Sequence, residues 1–232
     1  HSQSIVSPLM EPEEELTKFG RIWFRKLLAI DKIRQLTRLV DFGDRPGLRL
    51  NMQAELNPLL GASSRLGVAL KSLDLDASPV RLIAFNKTQN SNWSVPWHQD
   101  RVIAVAEKVE TQGYSNWSPK AGFWHCEAPL ELLRNMVFAR VHIDASTEEN
   151  GPLELALGSH HRGLVPAADA KAVARDCDVE TCYAAAGDVL IVHALTLHRS
   201  SSGKAPHTRR TLRIDYAPRD LLAHQLRWTM DE

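Results

Sequence analysis

From residue 79 onward the chain is a series of short apolar runs, each of strand length and each closed by a turn signal. Val80-Arg81-Leu82-Ile83-Ala84-Phe85 is one such run, and residues 136–143 form another. Residues 153–157 follow the turn Asn150-Gly151-Pro152, and residues 188–192 and 209–216 complete the set. Short strands at this density predict a mainly β protein, an antiparallel sandwich or barrel, with helices packed outside it. Those helices are expected upstream. Pro12 with Glu13, Glu14 and Glu15 makes a good helix start, because proline suits the first turn and acids suit the positive end of the dipole. Leu16, Phe19, Trp23, Leu27 and Ile30, then Ile33, Leu36 and Val40, recur at three- and four-residue steps and predict helix over 12–41, with a possible break at Asp31. The turn Gly43-Asp44-Arg45-Pro46-Gly47 ends it, and residues 51–73 read as further helix. At 232 residues the chain suits a single domain over 1–232, with 1–75 a largely helical flank and 79–218 the β body.

The chemistry-bearing stretch is Val95-Pro96-Trp97-His98-Gln99-Asp100. Residues i and i+2 of a strand share a face, so His98 and Asp100 can bind one ion together while Gln99 points elsewhere. A second histidine would complete two imidazoles and one carboxylate, a set that caps one face of an octahedral Fe(II) and leaves open positions for a 2-oxo acid and O2. His198, in Leu197-His198-Arg199-Ser200, sits just before a polar turn and is one candidate. His193 is another, and spacing alone does not separate the two. His142 reads as a sheet-face side chain with a satisfied hydrogen bond, and His160 and His161 as a polar turn after a strand. An arginine beyond the second histidine would hold the far carboxylate of the 2-oxo acid in a bidentate pair. If residues 209–216 alternate, Arg209, Thr211, Arg213 and Asp215 share one face, and Arg210, Leu212, Ile214 and Tyr216 the other. A solvated strand edge would show the same pattern, since arginine is mostly exposed.

Residues 101–135 interrupt the series of strands directly after the metal motif. They concentrate Trp117, Phe123, Trp124 and His125 among Gly, Ser, Asn and Pro, and are expected to form a lid-like insertion that supplies substrate contacts. Lys+Arg and Asp+Glu balance at 28 each, so no charge excess points to nucleic acid or an anionic membrane as partner. Cys126, Cys177 and Cys182 are odd in number and irregular in spacing, which fits no disulfide framework and favours a reducing cytoplasm. No apolar run approaches a membrane span, and no charged-then-apolar segment opens the sequence after His1-Ser2-Gln3-Ser4. Oligomeric state is left open by the sequence.

Taken together, these residues resemble the phytanoyl-CoA dioxygenase family of Fe(II)/2-oxoglutarate oxygenases, from about Val80 to Tyr216. The resemblance is carried by Val95-Pro96-Trp97-His98-Gln99-Asp100, by Glu149-Asn150-Gly151-Pro152-Leu153-Glu154 with Gly158-Ser159-His160, by Gly187-Asp188-Val189-Leu190, and by Leu197-His198-Arg199-Ser200 through Arg209-Arg210. It implies a double-stranded β-helix, a jelly-roll, cupin-like pair of antiparallel sheets with iron at its mouth. It implies His98, Asp100 and His198 as iron ligands, and so His198 over His193. It also implies Arg209, eleven residues after His198, on the distal carboxylate of 2-oxoglutarate, helped there by Ser200, and a cosubstrate contact from Gln99. The implied cofactors are Fe(II), 2-oxoglutarate and O2, and the implied reaction is hydroxylation of a C–H bond with release of succinate and CO2.

The sequence departs from the family in two places. No basic patch suits a CoA phosphate, which favours a small-molecule metabolite over an acyl-CoA. Arg140 stands where the family often has an aromatic on the cosubstrate side. Asp100 favours a halide-free oxidation, because related halogenases lack this carboxylate. Desaturation, cyclisation and epimerisation are open to the same fold. The alternatives are a cupin-like metal lyase, isomerase or metal-binding module without 2-oxoglutarate, which has no need of Arg209, and a β-sandwich interaction domain, which has no need of the metal residues.

Overall fold

The computed structural model describes residues 9–43, 47–88, 92–204 and 208–231. The expected turn at Gly43–Gly47 and the opening four residues lie partly or wholly outside them. The helical flank comprises α1 (Pro12–Phe19), α2 (Ile30–Leu39), α3 (Asn57–Leu60) and α4 (Arg65–Lys71), with strands β1 (Arg21–Phe24) and β2 (Leu48–Leu50) between them. The β body follows as β3 (Ser78–Asn86), β4 (Val95–His98), β5 (Val102–Val105), β6 (Ser115–Lys120), β7 (Phe123–Glu127), α5 (Leu130–Leu133), β8 (Val137–His142), β9 (Leu153–Ala156), α6 (Ala170–Arg175), β10 (Val179–Thr181), β11 (Val189–His193), β12 (His198–Ser200) and β13 (Arg210–Ala217). A six-stranded sheet runs β1-β11-β8-β13-β3-β2, and a four-stranded sheet runs β10-β9-β12-β4. All their pairings are antiparallel, and together they form the jelly roll.

Strand alternation sorts the large sheet into an apolar outer face and an inner one that is apolar along β11 and carries polar residues on β8 and β13. Val137, Ala139 and Val141 of β8, Val189 and Ile191 of β11, and Leu212, Ile214 and Tyr216 of β13 join one buried cluster with Ile33, Leu36, Leu59, Leu60, Leu66 and Leu70 of the helical flank. The residues between them, Phe138, Arg140 and His142 on β8 and Thr211, Arg213 and Asp215 on β13, therefore face the interior of the roll. Both faces of β8 are covered, and every residue of it is buried.

The expected continuous helix over 12–41 is corrected by the structure. Gly20 ends α1 in the left-handed region at φ +78°, and a β-carbon there would lie 2.5 Å from Thr196 Oγ1 and 2.6 Å from His160 Nδ1. The chain then pairs along β11, with Ile22 buried in the outer cluster and Trp23 Nε1 donating to Glu180 at 3.0 Å. The helical three- to four-step pattern does not hold across this break: Leu16, Ile22, Leu28, Ile33 and Leu36 bury in the outer cluster, while Trp23 packs on a different cluster and Ile30 is exposed. Residues 51–73 are helical as expected, but broken at Gly61–Ser64, where the Ser64 hydroxyl accepts from Gly67 N–H and caps α4.

The segment 101–135 is not an irregular cover. It folds into a third sheet, β5-β7-β6, followed by α5. Trp117 and Trp124 pack on a separate buried cluster formed by Ile103, Val105, Tyr114, Cys126, Leu132, Leu133 and Trp228.

Gly187 joins the flank to the roll. Its N–H donates to His142 O, its carbonyl accepts from Leu28 N–H, and its φ of +92° lies where L side chains are strained. A β-carbon there would sit 2.2 Å from Leu28 O. Gly187→Ala is expected to lower unfolding stability by about 1–3 kcal/mol from backbone strain alone, with the Leu28 contact adding to it. Denaturant titration checks this, and a midpoint equal to wild type would contradict it.

Candidate metal centre and anion pocket

Two motifs that carry no reacting group fix the strand that bears His198. Ser159 Oγ donates to Ala156 O and accepts from Leu197 N–H at 2.8 Å, so it holds the chain at the residue just before β12. Asn150 accepts from Thr147 N–H and donates to Ala145 O, shaping the turn that leads into β9. β12 then pairs with β9 on one side and β4 on the other, with His198 directly opposite His98. Asp100 follows two residues after His98, its N–H donating to Ala194 O.

His98, Asp100 and His198 each offer one ligand atom, and these atoms lie within 4.8 Å of one another. His98 Nδ1 contacts Pro96 O at 2.8 Å and His198 Nδ1 contacts Thr196 O at 2.9 Å. A carbonyl only accepts, so both Nδ1 atoms carry the proton and both Nε2 atoms present lone pairs. Those Nε2 atoms lie 4.0 and 3.1 Å from the two oxygens of Asp100. Asp100 Oδ2 is buried, and although Arg213 Nη1 lies 3.1 Å away, it has no contact of hydrogen-bond geometry. Two fixed imidazole lone pairs and an unsatisfied carboxylate oxygen are a donor set suited to a divalent transition metal.

Burial, then the neighbouring His198, lowers the pKa of His98, which keeps the ring neutral as a ligand must be. Burial alone would raise Asp100. The Arg213 guanidinium, followed by His198, outweighs it and holds the carboxyl well below its usual value. Arg213 belongs to a chain of ion pairs: Arg81 Nε to Asp215 at 2.6 Å, Asp215 to Arg213 Nε at 2.7 Å, and Arg213 to Asp100. Its guanidinium also lies over the Phe138 ring at 4.1 Å, and that ring is 5.5 Å from His198. These orienting residues were not singled out from sequence. The signal for them was the polar alternation of Arg209, Thr211, Arg213 and Asp215, which the structure turns inward rather than to solvent.

His193 lies apart from this cluster. Its Nε2 contacts Arg134 O at 2.9 Å and its Nδ1 accepts from Leu195 N–H, so neither nitrogen is left for a metal. It lines a cleft of about 470 Å3 with His160 and His161, and among the described residues no metal-donor set forms there. His142 is buried, its ring 5.8 Å from Trp23 and its Nδ1 2.9 Å from Asp188 O, in accord with a sheet-face histidine. Gln99 points away from the centre. Its Nε2 donates to Gly163 O and Leu195 O, and its Oε1 accepts from Val165 N–H and Arg101. The expected cosubstrate contact from Gln99 is therefore corrected to a structural one, in which this amide ties β4 to the loop before α6.

Deeper in the roll, Arg209 is buried, with Nε and Nη1 unpartnered. Its backbone pairs with Lys87 in both directions. Burial, then the charge of Arg140, pushes the Arg209 pKa down to about 9. Ser200 shares the His198 face of β12 and is buried. A buried guanidinium with free donors fits an incoming carboxylate.

A second cleft, of about 450 Å3, opens at Asp100. Arg81, Ile83 and Phe85 of β3 line one side, and Ser118, Lys120 and His125 of the third sheet the other. Along β7, Trp124 and Cys126 turn to the apolar cluster, so His125 and Phe123 take the opposite face. Of the four residues expected to contact substrate, His125 lines this cleft. Trp117 and Trp124 are placed in the cluster behind it.

The family model described as phytanoyl-CoA dioxygenase matches residues 47–211. The sequence matches no curated protein. Among solved structures, EctD from S. alaskensis in its apo form aligns with a TM-score of 0.67 at 15% identity over 94% of this chain and 80% of its own. The α-ketoglutarate-dependent carbocyclase SnoK of nogalamycin biosynthesis aligns at 0.61 and 14%, covering 92% and 84%. HygX from Streptomyces hygroscopicus, with nickel and 2-oxoglutarate bound, aligns at 0.60 and 14%, covering 91% and 88%. At these identities the likeness establishes the jelly-roll fold.

Replacing His98, Asp100 or His198 by Ala is expected to remove stoichiometric Fe(II) binding, while His193→Ala retains it. Metal analysis after anaerobic loading decides the matter: loss of iron in His193→Ala with retention in His198→Ala would reverse the assignment.

Proposed function

The chain belongs to the phytanoyl-CoA dioxygenase family of Fe(II)- and 2-oxoglutarate-dependent enzymes, and on that premise we propose that it hydroxylates a C–H bond of a small-molecule metabolite. The observation that carries this reading is the convergence of His98, Asp100 and His198 at the mouth of a roll whose interior ends in the unpartnered Arg209 guanidinium. His98 and His198 would hold iron through Nε2, and Asp100 through its carboxylate. Iron with 2-oxoglutarate and O2 supplies the oxidising chemistry, releasing succinate and CO2.

The remaining work falls to the chain. Arg209 anchors the distal carboxylate of 2-oxoglutarate in a buried charge-assisted pair, with the Ser200 hydroxyl beside it. Arg213 and Asp215 hold Asp100 in its ligand orientation, so the carboxylate does not rotate away when the cosubstrate enters. Ile83, Phe85 and His125 bound the cleft at Asp100, the position from which a substrate C–H would face the metal. A cleft of about 450 Å3 fits a metabolite-sized molecule. The sheet β5-β7-β6 covers that end and limits the entry of water.

EctD from S. alaskensis, a structural relative, has been solved with 2-oxoglutarate and 5-hydroxyectoine, which supports a small-molecule ligand bound beside 2-oxoglutarate. A substrate panel scored by substrate-dependent succinate formation tests the reading, and no succinate with any substrate would oppose it. Arg209→Ala is expected to weaken 2-oxoglutarate binding by several hundred-fold, corresponding to about 3–5 kcal/mol for a buried pair that loses one partner. Fe(II) affinity should stay unchanged. Equal cosubstrate binding by Arg209→Ala would move the anchor to another cation of the interior.

A further inference from the structure

The interior of the roll carries more positive charge than one distal carboxylate needs. Arg140 lies on the inner face of β8, opposite Arg213, and Arg209 lies just ahead of the neighbouring β13, two positions before the inner-face residue Thr211. The register pairs His142 with Thr211 and Arg140 with Arg213, so the Arg140 and Arg209 side chains flank His142 and Thr211 from either end. Both arginines are buried, and each has guanidinium nitrogens without a partner: Nε of Arg140, and Nε and Nη1 of Arg209. Lys87 lies beside Arg209, and its Nζ donates to Ser201 O at 2.5 Å.

Burial lowers Arg140 to about 10, opposed first by Cys182, with Arg213 lowering it and Asp100 raising it after that. Burial and then Arg140 lower Arg209, while burial, Arg209 and then Arg140 bring Lys87 down to about 7. His142, between the arginines, is pushed to about 3 by burial and then by Arg140. Arg213 is different, because Asp100 and Asp215 compensate it directly. Unpaired cations at this depth are costly unless an anion joins them.

We propose that Arg140 is a second cosubstrate-binding residue, which closes with Arg209 on the distal carboxylate of 2-oxoglutarate and makes the pocket selective for a 2-oxo diacid. This rests on the proposed 2-oxoglutarate dependence. Arg140 donates from one strand and Arg209 from the next, so the carboxylate bridges β8 and β13. Lys87 can remain neutral behind them, bonded to backbone carbonyls.

The test uses full-length Fe(II)-loaded protein under anaerobic conditions. 2-Oxoglutarate is titrated against the visible charge-transfer band of its iron chelate, with 2-oxobutyrate as a probe that lacks the distal carboxylate. Arg140→Met is expected to weaken 2-oxoglutarate by about 10- to 100-fold, the loss of one charged hydrogen-bond partner, and to leave 2-oxobutyrate within about 2-fold. Arg140→Lys, which keeps the charge without the planar fork, should fall between. Without cosubstrate, Arg140→Met should melt at a higher temperature than wild type, because an unpaired buried charge is gone, and 2-oxoglutarate should raise its melting point less. Unchanged 2-oxoglutarate affinity in Arg140→Met overturns the assignment. Equal weakening of 2-oxobutyrate also overturns it, by making Arg140 a general structural residue. Absence of the band in wild type removes the cosubstrate reading and this inference with it.

Discussion

Charge compensation inside a closed roll is the constraint on which the other features depend. The inner faces of β8 and β13 carry Arg140, His142, Arg213 and Asp215, with Arg209 just ahead of β13, while the outer faces of the same strands are apolar and sealed by the helical flank. Water cannot solvate these groups, so each must find a partner within the roll or from a ligand. Arg213 finds Asp215 and Asp100, and in doing so presents Asp100 to the two histidines. Arg209 and Arg140 keep guanidinium nitrogens without a hydrogen-bond partner. The interior is thus divided into a compensated half that offers a metal its ligands and an uncompensated half that offers an anion its counter-charge. Under the proposed function, a chelating, doubly negative cosubstrate would bridge the two halves.

The cross-strand pairing of β12 with β4 turns this division into a site. His198 stands opposite His98, and both rings are locked by a hydrogen bond to the carbonyl two residues earlier. The same local device used twice fixes both tautomers before any metal arrives. Ser159 and Gln99 act one layer out, the first seating β12 and the second tying β4 to the loop that follows β9.

Much of this was legible in the sequence, because strand alternation is a strict rule. The His98/Asp100 pair, the boundaries of β3, β8, β9, β11 and β13 to within two residues, and the two faces of residues 209–216 were legible from period two. Other parts were hidden for physical reasons. β1 was read as helix because its apolar residues continue the spacing of the flanking helices, although in the sheet Ile22 and Trp23 face opposite clusters. The ion-pair chain through Arg213 was not legible, because an arginine on an alternating strand looks the same whether it faces solvent or the interior. Gln99 sits between two site residues, yet alternation sends its side chain to the other side, where four hydrogen bonds hold it. Trp117 and Trp124 were taken for pocket walls, and their place in a second apolar cluster reflects the need of a three-stranded sheet for a core of its own.

The central claim is that one metal and one 2-oxo diacid share the interior, the metal at the histidine end and the far carboxylate at the arginine end. Anomalous diffraction at the iron edge, from crystals grown anaerobically with Fe(II) and 2-oxoglutarate, addresses it most directly. The account predicts a single iron peak bonded to His98 Nε2, Asp100 and His198 Nε2, with the distal carboxylate of the chelated cosubstrate on Arg209. An iron peak in the cleft of His160, His161 and His193, or a cosubstrate carboxylate away from the buried arginines, would contradict it.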